Sequence, residues 1–318
     1  MRAFVTGADG FVGQWLIRAL LDAGDDVAAT MRAEEPALTT LSRDASARVR
    51  WHRADIRDRT ALAAALAIEK PDAVFHLAAQ SLASASFDKP DETFEINVIG
   101  TVALLEACRA AASGAIVLFA GSSEAYGAVS PAALPLKEEA PIRPHSPYAA
   151  SKVAAEAITL QYARTGWLRV VATRSFNHTG PGQSPAFAVP SFAKQIADAA
   201  GGRGARTLKV GNLAAQRDFT DVRDVVAAYR LLVERGSSGS VYNVCTGHAV
   251  SMRQIVDDLL KVAGVDATIE EDPVKLRPID APIIYGDASA LQRDTGWRPT
   301  IPLVRTLTDV YQWYAAGL

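Results

Sequence analysis

An apolar stretch at residues 2–6 runs straight into Gly7-Ala8-Asp9-Gly10-Phe11-Val12-Gly13, and an amphipathic pattern then continues to about Leu21. Few folds accept that order of strand, glycine turn and helix. Glycine permits the tight turn and lets the first N–H groups of a helix approach a pyrophosphate with no side chain between them. The spacing is Gly-x-x-Gly-x-x-Gly rather than the commoner Gly-x-Gly-x-x-Gly. A glycine-rich turn without a ligand is the alternative, but the turn falls at the first strand-to-helix junction. Gly7, Gly10, Phe11, Val12 and Gly13 are therefore candidate cofactor contacts.

The pattern then repeats. Strand-like runs near 27–30, 49–54, 73–77, 115–120 and 169–174 alternate with helical ones, including a long helix expected over 90–112. This predicts an α/β chain with a doubly wound parallel sheet, whose ligands lie beyond the carboxyl ends of the strands. At the end of the second strand stands Arg32, where an acidic residue would hold a ribose hydroxyl. An arginine there suits a 2′-phosphate, which favours NADPH over NADH; pairing with Glu34 or Glu35 is the alternative. Asp55 and Ile56, after the third strand, are candidates for the adenine. Leu77, Ala78 and Ala79, after the fourth, leave room for a cofactor across the strand ends, and Gln80 and Ser81 follow as candidate substrate contacts. The fifth strand ends in Ser122-Ser123-Glu124, two hydroxyls and a carboxylate, although either serine also serves as a helix cap. After about residue 178 the rhythm breaks into short strands near 207–211 and 241–245 and helices near 189–199, 222–234 and 252–262. Residues 1–177 are read as the dinucleotide-binding domain. Residues 178–318 are read as mainly a smaller substrate-binding lobe, with the chain returning to the first domain around 217–245.

Pro147 opens an Ala-rich helical run to Arg164 that places Tyr148 and Lys152 one turn apart on one face. A free phenol titrates near ~10. A neighbouring ammonium is expected to favour the phenolate and lower that value towards what an acid–base catalyst needs.

Composition excludes several classes. The 318 residues carry 49% hydrophobic and 21% charged side chains and a net charge of −2, which gives no reason to expect nucleic acid or an anionic membrane surface as partner. Cys108 and Cys245 each lie in an apolar run and suggest neither a disulfide framework nor a metal site. With no long apolar run, a cytoplasmic chain is the default expectation.

Gly7-x-x-Gly10-x-x-Gly13, Ser122 and Tyr148-x-x-x-Lys152 together resemble the extended short-chain dehydrogenase/reductase family, the NAD-dependent epimerases and dehydratases. Longer segments narrow the resemblance to members acting on GDP-linked 4-keto-6-deoxy sugars. They are Gly121 to Gly127, Phe176 to Ser184, Arg217 to Asp224, Val241 to Cys245, Leu276-Arg277-Pro278 and Thr295 to Pro299. The resemblance implies a Rossmann-type sheet and reduction of the C4 ketone of GDP-4-keto-6-deoxy-D-mannose to GDP-D-rhamnose. It implies Tyr148 as proton donor, Lys152 tuning it and holding the nicotinamide ribose, and Ser122 bonding the carbonyl. It adds Asn97 and Phe176 as cofactor contacts, and Ser123, Asn177, Lys194, Arg217 and Arg277 as substrate contacts, the two arginines clamping the diphosphate. A homodimer packed through the helix after the fourth strand and the Tyr148 helix is also implied. Related 4,6-dehydratases use a Glu at the Glu124 position for elimination, so a dehydratase is the alternative enzyme; an NADPH-sensing binding protein is the alternative from another class.

Overall fold

The computed structural model describes residues 1–275 and 281–317. Strands and helices alternate through its first half: β1 (Arg2–Thr6), α1 (Phe11–Asp22), β2 (Asp26–Met31), α2 (Arg43–Ala47), β3 (Arg50–Arg53), α3 (Arg59–Glu69), β4 (Ala73–His76), α4 (Ala83–Asp88), α5 (Pro90–Phe94), α6 (Gly100–Ala111), β5 (Ile116–Ser122), α7 (Pro147–Arg164) and β6 (Arg169–Ser175). Shorter pieces follow: β7 (Asn177–Thr179), α8 (Ala188–Ala200), β8 (Thr207–Val210), β9 (Gln216–Asp221), α9 (Val222–Arg235), β10 (Val241–Val244), β11 (Ala249–Ser251), α10 (Met252–Ala263), β12 (Thr268–Glu271), β13 (Ile283–Ile284), α11 (Ser289–Thr295) and α12 (Leu303–Ala315).

Seven strands pair in the order β10-β6-β5-β4-β1-β2-β3, and every pairing is parallel. Parallel strands joined by helical crossovers are covered on both faces, so their sequences are apolar on both. Phe4, Val5, Val74, Phe75, Val117 and Leu118 are all buried. Trp15, Leu16 and Leu20 of α1 and Val225, Tyr229 and Leu232 of α9 cover one face. Leu62 and Leu66 of α3, Leu104 and Cys108 of α6 and Tyr162 of α7 cover the other. The strand order reverses between β1 and β4, and the crevice beyond that switch point is where such sheets hold ligands.

A second core joins α8, α10 and α12 around Val189, Ile196, Phe219, Ile255, Leu259 and Leu307. Beside it β9 pairs with β7, β11 and β13, and β8 pairs with β12. The chain passes through this lobe and returns, through α9 and β10, to the edge of the main sheet beside β6.

Two local outcomes differ from the sequence reading. The helical run after β4 is continuous from Pro90, but its middle, Glu95–Ile99, is wound as a π-helix. The segment 216–221, given no element from the sequence, is a strand, although most of it is polar.

Candidate active site

The glycine turn ends β1 at the switch point. Gly7 has φ +68°, and a Cβ there would stand 2.7 Å from the Ala78 backbone nitrogen. A Cβ on Gly13 would strike the Gly7 carbonyl and Ala8, so that position holds helix against strand. Gly10 is the N-cap of α1 and offers no side-chain cap. The first N–H groups of α1 thus remain available to an anion, which fits a dinucleotide pyrophosphate.

Gln14, a buried polar residue that the sequence reading passed over, fixes the neighbouring loop. Its Oε1 accepts from the N–H groups of Thr39, Thr40 and Leu41 at 2.8, 3.0 and 3.1 Å. Its Nε2 donates to Asp9 O and Ala37 O. Arg32 is exposed at the end of β2, and its charge helps hold down the Asp55 pKa. Asp55 is engaged by Arg57, whose hydrogen bonds pull that carboxyl down to about 2. The Ile56 side chain is buried under α6, where it faces Gly100. Only the exposed edges and backbone of the Asp55-Ile56 pair are free to meet an adenine. Glu34 lies 3.9 Å from Arg53.

Asn97 is buried in the π-turn with both its amide donors engaged. Its Oδ1 accepts from Gln80 N at 2.8 Å, and its Nδ2 donates to Gln80 O at 3.1 Å and Ser151 Oγ at 2.9 Å. These bonds brace the loop after β4 against the start of α7. The Gln80 Oε1 is buried with no hydrogen-bond partner, while its Nε2 donates to Leu82 O. Ser81 is exposed.

Helix α7 starts as the sequence predicts, with Pro147 in its first turn and Ser146 Oγ accepting from Ala149 N. Tyr148 N donates to Ser86 Oγ of α4 at 3.0 Å. The Ser122 hydroxyl lies in hydrogen-bonding reach of the Tyr148 phenol and also caps the turn after β5 by accepting from Glu124 N. The phenol does not behave as expected. Burial and the Glu124 carboxylate push its pKa up, and the Ser122 hydrogen bond offsets only part of this. Lys152 does not lower it. The ammonium is buried, lies over the Phe119 ring at 4.9 Å, and is itself pulled down to about 8 by desolvation.

Behind Lys152 lies a buried chain of hydroxyls and imidazole. Thr101 Oγ1 donates to Asn97 O at 2.6 Å, so His76 Nε2–H must donate to Thr101 Oγ1 and His76 Nδ1 must accept from Thr6 Oγ1, each at 2.9 Å. Burial and the Lys152 charge hold His76 neutral, with its pKa down to about 3.

The remaining candidates divide. Ser123 is buried and Asn177 exposed. The Phe176 ring is buried against Tyr126 and would block a Cβ on Gly286, so its side chain belongs to the core rather than to a cofactor. Phe11 stacks on His178 at 6.4 Å, which lays the segment after β6 over the start of α1. Arg217 donates to Gln216 O from β9. Lys194 is half-exposed and paired with Asp198 at 2.6 Å on α8. Arg277 lies outside the described residues. Glu156 and Arg174, charged residues inside a helix and a strand that read as buried, are the signals that the sequence reading left unused.

Enzymes that place a Tyr–Lys pair beside a glycine turn at the switch point of a doubly wound sheet make up the short-chain dehydrogenase/reductase class. A family model described as GDP-mannose 4,6 dehydratase matches residues 4–310. GDP-6-deoxy-D-mannose reductase of Pseudomonas aeruginosa is 38% identical over 97% of this chain and 95% of its own. A solved structure of RMD from Pseudomonas aeruginosa complexed with NADPH superposes with a TM-score of 0.86 at 35% identity, covering 100% of both chains. UDP-glucose 4-epimerase of Thermus thermophilus in complex with NAD superposes with a TM-score of 0.88 at 30% identity, again over 100% of both chains. The chain belongs to the extended short-chain dehydrogenase/reductase family of NAD-dependent epimerases and dehydratases, as a nucleotide-sugar-modifying enzyme with a nicotinamide cofactor.

Proposed function

We propose that the chain reduces the C4 ketone of a nucleotide-linked 4-keto-6-deoxy sugar, GDP-4-keto-6-deoxy-D-mannose to GDP-D-rhamnose, with NADPH. The near full-length similarity to GDP-6-deoxy-D-mannose reductase carries this reading. The nicotinamide, when bound, supplies the hydride. Tyr148 gives its proton to the alkoxide that forms at C4, and Ser122 donates a hydrogen bond to the same oxygen. The Lys152 ammonium holds the nicotinamide ribose when the cofactor is bound. Arg32 holds the 2′-phosphate, the open start of α1 holds the pyrophosphate, and Gln80 Oε1 accepts from a substrate hydroxyl. Arg217, Arg277 and Lys194 meet the substrate diphosphate; Lys194 must first leave Asp198. Two copies pair through α6 and α7, beside the exposed Phe94 and Ile99.

One observation favours a second reading. The Glu124 charge bears directly on the Tyr148 phenol, as a base for 4,6-elimination would. The deciding experiment incubates the protein and NADPH with GDP-4-keto-6-deoxy-D-mannose and, separately, with GDP-mannose. Stoichiometric loss of NADPH absorbance and a C4 alcohol seen by NMR support reduction. Loss of water from GDP-mannose with no net consumption of NADPH replaces it with elimination. NADPH binding with no turnover of either sugar leaves a sensor.

A further inference from the structure

Lys152 must stay charged in a place that disfavours charge. It is 7% exposed, and burial alone moves it towards the neutral amine. The groups around it come from several elements. Tyr148 and Glu156 lie one turn before and one turn after it on α7; neutral His76 comes from β4, the Phe119 ring from β5 and Arg174 from β6. Tyr126 and Glu124 follow β5, with Glu124 acting on Tyr148. Glu156 is the anion that supports the Lys152 charge.

Glu156 is itself 4% exposed. A lone carboxylate so placed would take up a proton rather than remain charged. Arg174 prevents this with a two-pronged bond, Nε to Oε2 at 3.0 Å and Nη2 to Oε1 at 2.7 Å. Arg174 is fixed in turn. Its Nη1 donates to Glu138 O at 2.8 Å, and its guanidinium lies 4.9 Å from the centre of the Tyr126 ring. The Tyr126 hydroxyl donates to Asn243 Oδ1 at 2.7 Å. The carboxylate below the ammonium is thus anchored to β6 and β10.

We propose that Glu156, held ionised and in place by Arg174 one helical turn beyond Lys152, is a positioning residue that keeps the buried Lys152 ammonium charged. Its consequence for turnover rests on the proposed role of Lys152, whereas the electrostatic link holds for any substrate.

The test follows the pH titration of Lys152 through its isotope-labelled Cε resonance in the full-length protein, with and without NADPH. The resonance is assigned by its loss in Lys152→Arg, and the pH dependence of kcat/KM for NADPH-driven reduction is measured alongside. In Glu156→Gln the Lys152 midpoint falls by about one pH unit, and the alkaline decline of kcat/KM moves down with it. Glu156→Asp keeps the charge and returns both towards the wild-type position. Because Arg174 left alone in the interior can unfold the chain, a second variant combines Glu156→Gln with Arg174→Gln. It sets two neutral amides against each other and shows a smaller downward movement, because losing the Arg174 cation offsets part of the loss of the Glu156 anion. An unmoved Lys152 midpoint in the folded variants overturns the proposal. A midpoint that moves in a protein whose wild type reduces no sugar upholds the proposal and removes the assigned reaction instead.

Discussion

A half-buried phenol with a carboxylate beside it holds its proton firmly. The phenol therefore starts in the protonated form that a donor needs but is a weak acid, so the Ser122 hydrogen bond and the positioning of the ketone must carry much of the proton transfer. Tyr148→Phe is expected to lower kcat by about 10²–10⁴-fold while NADPH affinity, read by fluorescence titration, stays nearly unchanged. His76 bears on stability. Its folded-state pKa, about 3, lies below the unfolded value, 6.5, so the unfolded chain binds a proton that the folded chain refuses. Stability therefore falls as pH drops from about 6.5 towards 3 and is fully retained above that window. His76→Asn is expected to be less stable at pH 7, having lost the Thr6 and Thr101 bonds. It should also lose less between pH 7 and pH 5, as urea midpoints at the two values will register.

Among the elements, α1 carries the cofactor end of the site and depends on one side chain to shape what surrounds it. Gln14→Ala removes an acceptor shared by three backbone N–H groups. A loss of about 1–3 kcal/mol in stability and a weaker grip on NADPH are expected, measured by chemical denaturation and cofactor titration. The main sheet, the glycine turn and α7 were legible in the sequence because each has a local cause: apolar runs, glycines where no Cβ fits, and a Ser-Pro start. β9 was not, because its polar residues are satisfied by partners distant in the chain. Asp218 accepts from Thr246 and Gly247, and Asp221 from Thr306. The π-turn at Asn97 also escaped, since it changes the winding without changing the helical pattern. The direction of the Tyr148 shift was misread because spacing reveals which residues share a face. It does not reveal that Lys152 would turn to the Phe119 ring and leave burial and Glu124 to decide the phenol.

At the scale of the whole molecule, the two cores are tied by hydrogen bonds between them. Trp15 of α1 donates to Pro181 O at 3.0 Å, Tyr314 of α12 donates to Gln183 O, and Thr306 of α12 donates to Asp221. No helix among the described residues is long and apolar enough to cross a membrane. Sedimentation will show whether two copies pair as proposed.

The late arrival of β10 beside β6 has a practical side for anyone dividing the gene. A fragment stopped at residue 177 would display the naked flank of β6, seven residues buried almost throughout in the intact chain, with its N–H and C=O groups unanswered. Such a fragment is expected to clump on expression. Adding back a separate piece that spans 216–245 should rescue it better than any change of buffer.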